Sequence, residues 1–134
     1  MIKLIVGTKG SGKTKTMIDM INDAAMNASG SIVCIEKGMK STYNIKNSVR
    51  LIDVDDYSIK GYPMFYGFFA GVLAGNYDIQ EVYVDGILKI GENDINGFVE
   101  LVKQLEGLSR DDLKIVFTVS TDVETLPEEI KKYL

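Results

Sequence analysis

Eight residues near the amino terminus, Gly7-Thr8-Lys9-Gly10-Ser11-Gly12-Lys13-Thr14, have the types and spacing to hold a polyphosphate. The pattern is Gly, four residues, then Gly-Lys-Thr, which is that of a phosphate-binding P-loop, or Walker A sequence. Its glycines allow successive backbone N–H groups to turn toward one anion, and the N-terminus of the following helix adds its positive end. In this arrangement Lys13 reaches the β- and γ-phosphates, and the Thr14 hydroxyl ligates Mg²⁺. Lys9 and Lys15 add positive charge beside them.

A second group of polar residues closes a series of apolar runs. Ile2–Val6 leads into the glycine loop, SIVCI over 31–35 ends at Glu36, and VRLIDV over 49–54 ends among Asp53, Asp55 and Asp56. QEVYV over 80–84 ends at Asp85, and LKIVFTV over 113–119 ends at Ser120 and Thr121. Wholly apolar runs of this length read as buried parallel strands. In an open parallel sheet their carboxyl ends share one edge, where ligands bind. Val82-Tyr83-Val84-Asp85 then reads as a Walker B strand, bringing a carboxylate to a magnesium shell completed by Thr14, phosphate oxygens and water. Many P-loop ATPases have Glu immediately after that Asp. Here the position is Gly86, so a base for the attacking water must come from elsewhere. Glu36 is the first candidate, against a solvated carboxylate paired with Lys37, and Asp53, Asp55 and Asp56 are alternates. Ser120 or Thr121 is placed to sense the γ-phosphate.

The elements between these runs are helical. Met17, Ile18, Ile21, Ala24, Ala25 and Ala28 recur at helical spacing over Lys13–Ala28, and Ser29-Gly30 stops that helix. Tyr62–Gly75 places Gly67, Ala70, Gly71, Ala74 and Gly75 on one face, with Pro63 suited to the first position. Glycine costs about 1 kcal/mol inside a helix, so this face calls for a close neighbour: the sheet, or a helix of another subunit. Ile95–Leu105 carries an apolar stripe with Asn93 or Asp94 as cap, and Leu126–Leu134 reads as a short terminal helix started by Pro127. Gly38–Asn47 reads as a loop. The whole is a single three-layer α/β/α domain over 1–134 with a mainly parallel five-stranded sheet.

Composition bounds the partners. Hydrophobic residues are 46% and charged residues 25% of 134, with a formal net charge of −4, so no strong nucleic-acid signal is present. Cys34 is the only cysteine and histidine is absent, which excludes an internal disulfide and His-based metal sites or bases. No signal peptide precedes the first strand and no apolar run reaches membrane-spanning length, so a cytoplasmic setting is expected.

The order of these pieces resembles the RecA-like ATPase core of the P-loop NTPase superfamily. In that family a strand ending in a catalytic Glu follows the P-loop helix, then a strand and helix, the Walker B strand, a helix, and a strand with a polar sensor. The matching residues here are Gly7–Thr14, Glu36, Asp85, and Ser120 or Thr121. The resemblance implies the sheet order third, second, fourth, fifth, first, and ATP with Mg²⁺ as ligands. RecA-like proteins continue with strands beside the P-loop strand. Here that strand would be an edge, to be covered by the terminal segment, a second copy or another protein. The chain also resembles short bacterial P-loop proteins given a twitching-motility label after the pilus-retraction ATPases. Those ATPases carry a histidine box that this chain lacks, so the label points to fold. A Lys directly after the first Gly, as in the ParA/MinD group, is missing, and so is the Asn/Thr-Lys-x-Asp pattern of GTPases, which favours ATP over GTP.

Three functions follow. The first is a slow Mg-dependent ATPase or nucleotide switch, built on Lys13, Thr14, Asp85 and Glu36. Arg50 and Arg110 are the only arginines, so a cis arginine finger is uncertain. The second is a non-enzymatic, ATP-dependent assembly module. The third is a small-molecule kinase, for which no arginine-bearing lid is evident.

Overall fold

A computed structural model describes residues 1–38, 44–108 and 110–134. Its centre is a five-stranded, all-parallel sheet: β1 (Ile2–Gly7), β2 (Ser31–Glu36), β3 (Arg50–Asp53), β4 (Ile79–Asp85) and β5 (Lys114–Ser120). The spatial order is β1-β5-β4-β2-β3, the order expected above read from the other edge. Alternate side chains leave opposite faces of a strand, and here both sets are buried. Val33, Ile35, Val82, Val84, Ile115 and Phe117 enter one core; Ile32, Cys34, Tyr83 and Val116 enter a second, on the other side. This explains why the runs are apolar throughout and not alternating.

Helix α1 (Lys13–Asn27) covers the second face through Met17 and Ile21, joined there by Ile45 and Val49 from the segment before β3. The first face carries α2 (Gly61–Gly75), α3 (Ile87–Ile90) and α4 (Ile95–Leu108). Within α4, Phe98, Val99, Leu101, Val102 and Leu105 are buried, and the Asp94 carboxylate caps its first turn by accepting from the Gly97 N–H at 2.9 Å.

Four expectations are corrected. The run over 49–54 is a strand only through Asp53; Val54–Tyr57 is a 3-10 turn capped by Asp53, which accepts from the Asp55 N–H. The terminal segment is not an α-helix but a 3-10 helix, Glu128–Tyr133, anchored by buried Leu126 and Ile130 and lying against β1 and α4. The glycine face of α2 does not meet the sheet. Tyr62, Phe65 and Phe69 carry its burial, whereas a methyl group at Gly67, Gly71 or Gly75 would meet no described atom within 4 Å. Pro63 is the third residue of α2, still within the first turn where its missing N–H costs nothing. Of the expected loop Gly38–Asn47, residues 39–43 lie outside the described residues.

Candidate functional site

Strand register assembles the site. Gly7 pairs with Ser120 at the ends of β1 and β5, and Glu36 is the partner of Asp85 on one side and of Asp53 on the other. Three carboxylates thus stand in a row at adjacent strand ends, roughly 4.8 Å apart from strand to strand.

The loop between β1 and α1 is tight. Gly10 and Gly12 have φ of +84° and +87°, a backbone region that favours glycine. A methyl group on Gly7 would stand 2.4 Å from Ser11 Oγ. The Thr8 carbonyl accepts from the Ser11 N–H at 3.1 Å and from Lys13 Nζ at 3.0 Å. The Lys13 side chain is therefore folded across the loop, and the residue is 8% exposed. One turn into α1, the Thr14 hydroxyl donates to both Asp85 carboxylate oxygens, at 3.2 and 3.3 Å, across 71 residues of sequence.

A cavity of about 910 Å³ opens over these residues. Of the sequence candidates, Lys9, Gly10, Lys13, Thr14, Glu36, Asp85 and Ser120 line it; Gly7, Thr8, Ser11 and Gly12, from the same loop, do not. Its charged lining comprises five lysines (9, 13, 15, 37 and 89) and three carboxylates (Asp19, Glu36 and Asp85). The cavity is net positive in a chain of net charge −4. Such a concave, oppositely charged site focuses anions.

No family model and no curated protein matches this chain.

The remaining candidates separate by what their side chains already do. Asp53 accepts from the N–H groups of Gly38 and Asp55, and Asp55 accepts from Lys37 at 2.6 Å, so both fasten the β2–β3 connection. Lys37 reaches Asp55, which answers the expected pairing with Glu36; Glu36 is instead 5% exposed, buried at its strand end. Asp56 does not line the cavity. Thr121 shares a hydrogen bond with Thr125 at 2.9 Å, leaving Ser120 as the β5 hydroxyl at the cavity.

Two features escaped the sequence reading. Thr118, 1% exposed in the middle of β5, donates to Asp85 Oδ1 at 2.5 Å and accepts from the Gly86 N–H at 2.7 Å. It fixes the carboxylate and the turn after it together. The signal was available: a hydroxyl within the apolar run KIVFTVS has to find a buried partner. Helix α3 is the other. Gly86, at φ +74°, turns the chain directly into four helical residues that bring Lys89 to the cavity, and Asn93 lines it beyond the helix. Glu92 and Asn93 have φ of +58° and +62°, uncommon for non-glycine residues. Tyr62 of α2 holds this turn: its hydroxyl donates to the Asp94 carbonyl at 2.8 Å, and its ring fills the space where side chains at Gly91 and Gly97 would sit.

Cys34, on β2 beside this edge, is buried, and its thiol is pushed up to about 12, first by desolvation and then by the charges of Glu36 and Asp85. Among the described residues no three His, Cys, Asp or Glu side chains form a metal cage. The hard oxygens of Thr14 and Asp85 suit Mg²⁺ bound chiefly through phosphate oxygens and water, which needs no such cage. No described helix is long and apolar enough to cross a membrane.

Proposed function

We propose that this protein is a small, cytoplasmic P-loop NTPase of RecA-like type that binds Mg-ATP in the cavity over the β1–α1 loop and hydrolyses it slowly. The observation that carries this reading is the contact of Thr14 with Asp85: a glycine-loop hydroxyl and a distant strand-end carboxylate share one rim. The net positive lining supports it, as does the sheet order, in which β5 lies between the loop strand and the Asp85 strand.

Each residue has a role in the chemistry. The backbone N–H groups from Gly7 to Thr14 cradle the phosphates, and Lys13 exchanges the Thr8 carbonyl for phosphate oxygens. Thr14 and Asp85 would hold Mg²⁺, which when bound neutralises charge on the phosphates. Glu36, buried beside Asp85, orients the attacking water and takes its proton. Ser120 contacts the phosphates from the end of β5. Arg110 donates to the carbonyls of Tyr77 and Ile79 where β4 begins, and Arg50 begins β3; both belong to the opposite edge of the sheet. Neither serves as a cis finger, so turnover is slow unless a partner supplies one. A partner's finger contributes about 10³–10⁵ in rate.

An ATP-dependent assembly module is the second reading, favoured by the uncharged, outward-facing glycine side of α2. The test is titration calorimetry of ATP with Mg²⁺, with ADP release measured in parallel. Wild type binds ATP, and Lys13→Ala weakens binding about 10- to 100-fold, the worth of a charged hydrogen bond. Normal binding and cleavage by Lys13→Ala would refute both readings; binding that changes oligomeric state without ADP release favours the second.

A further inference from the structure

We propose that Lys89 is the γ-phosphate-sensing cation of this site, supplied by the chain itself in the place where other hydrolases use an arginine. The inference rests on the phosphate-binding reading above and deepens it. Lys89 enters from α3, following the Asp85 strand, whereas Lys9, Lys13 and Lys15 all come from the glycine loop and the start of α1. A triphosphate bound along that loop is thereby met by cations from two separate elements. Lys37 is committed to Asp55 at 2.6 Å. Among the described residues no carboxylate lies within ion-pair distance of the Lys89 ammonium, and Lys89 lines the same cavity as Glu36 and Asp85.

Gly86, at φ +74°, makes the turn that starts α3 and so places Lys89. A methyl group there would stand 3.5 Å from Lys89 Cδ, so the lysine stem passes in van der Waals contact with the position that carries a Glu side chain in many hydrolases. The base is then Glu36 on the neighbouring strand, and the stem of Lys89 runs beside Gly86. The turn behind Lys89 is held by Tyr62, which packs on Gly91 and Gly97 and binds the Asp94 carbonyl. In hydrolysis, water attacks the γ-phosphorus and its proton passes to Glu36. The bond from phosphorus to the β–γ bridging oxygen breaks, leaving ADP and phosphate. Lys89 offsets the charge on the γ-phosphoryl oxygens as that bond breaks.

The experiment compares wild type, Lys89→Ala and Lys89→Arg for affinity to ADP and to a non-hydrolysable ATP analogue, both with Mg²⁺, and for single-turnover hydrolysis of ATP. The proposal expects wild type to prefer the triphosphate. Lys89→Ala should lose about tenfold in analogue affinity, the worth of one charged hydrogen bond, with ADP affinity changed less than about twofold. Hydrolysis should fall by at least about tenfold and return with Lys89→Arg. Lys89 is exposed, so the variants fold, and a matching thermal midpoint checks this. If Lys89→Ala keeps the wild-type ratio of the two affinities, the assignment is overturned while the phosphate-binding reading stands. If wild type binds neither nucleotide, both fall.

Discussion

Replacing Thr118 with valine removes one hydroxyl from the centre of β5 and almost nothing else, because the two side chains have the same shape. In the protein that hydroxyl accepts from the Gly86 N–H at 2.7 Å and donates to Asp85 at 2.5 Å, with only 1% of the residue exposed. The substitution costs one charge-assisted bond and strands a partly buried N–H. Either loss alone is worth about 1–3 kcal/mol, and since they share one atom the total should be about 2.5 kcal/mol. For 134 residues unfolding with about 2.1 cal/mol/K each, this lowers the thermal midpoint by roughly 9 °C. Thr118→Ser keeps the hydroxyl and loses a methyl group, a smaller cost of about 1 kcal/mol.

Function separates the two variants further. A hydrogen bond that orients a metal-binding carboxylate typically contributes 10- to 100-fold in metal affinity, so under the proposed function, in which Asp85 would help hold Mg²⁺, Thr118→Val should raise the Mg²⁺ concentration needed for half-maximal ATP binding by about that factor. Thr118→Ser should not. Urea unfolding and a Mg²⁺ titration of nucleotide fluorescence measure both quantities. Valine and serine variants equal in stability and in Mg²⁺ dependence would show that Thr118 only fills space and that Asp85 needs no orienting partner.

Other perturbations test the surroundings. Gly67→Ala and Gly71→Ala lie in α2 where an added methyl meets no described atom, so each should stabilise the protein by about 0.5–1 kcal/mol in urea unfolding. Destabilisation, or dissociation of an oligomer in sedimentation, would instead show that this face is covered in solution. Burial raises the pKa of Cys34 from 9.0 to about 12 and drives those of Tyr62 and Tyr83 well above the ordinary 10.0. Above pH 9.0 the unfolded chain releases protons that the folded chain keeps. The resulting stability is full below that pH and declines as pH rises toward 12, which equilibrium unfolding at alkaline pH will show. For the same reason a thiol reagent near neutral pH should label Cys34 only through unfolding.

How much of this was legible in the sequence depends on the range of the interaction concerned. The strands were visible because each is buried on both faces and so written as an uninterrupted apolar run, and the glycine loop because its backbone conformation restricts residue type at fixed spacing. Asp85 was legible as a strand end, but its contact with Thr14 depends on sheet order, which came by resemblance and not from spacing. Helix α3 has four residues, too few to express a period, and Gly86 ahead of it looked only like a missing Glu. The α2 glycines show the opposite failure. Their spacing was clear, yet a stripe of small residues does not say whether anything lies against it, and Tyr62, Phe65 and Phe69 dominate that helix's packing. Pairing of Glu36 with Lys37 was the nearest choice in sequence; three dimensions offered Lys37 a better partner in Asp55.

The distribution of charge along the sheet ties these points together. At the edge where the strands begin, Arg110 is spent on backbone carbonyls and Arg50 opens the outermost strand. At the edge where they end stand a row of carboxylates and five lysines around one cavity. A parallel sheet repeats this polarity in every strand, so a few polar residues placed after apolar runs converge without any being near another in sequence. Net charge averages over both edges and conceals the result: an acidic chain with a net positive cavity. The arginines are remote from that cavity, the residue after Asp85 has no side chain, and the cation nearest that gap is a lysine from the next helical turn. Under the proposed function, the cationic side chains facing the phosphates would all be lysines, which suits slow turnover better than fast hydrolysis.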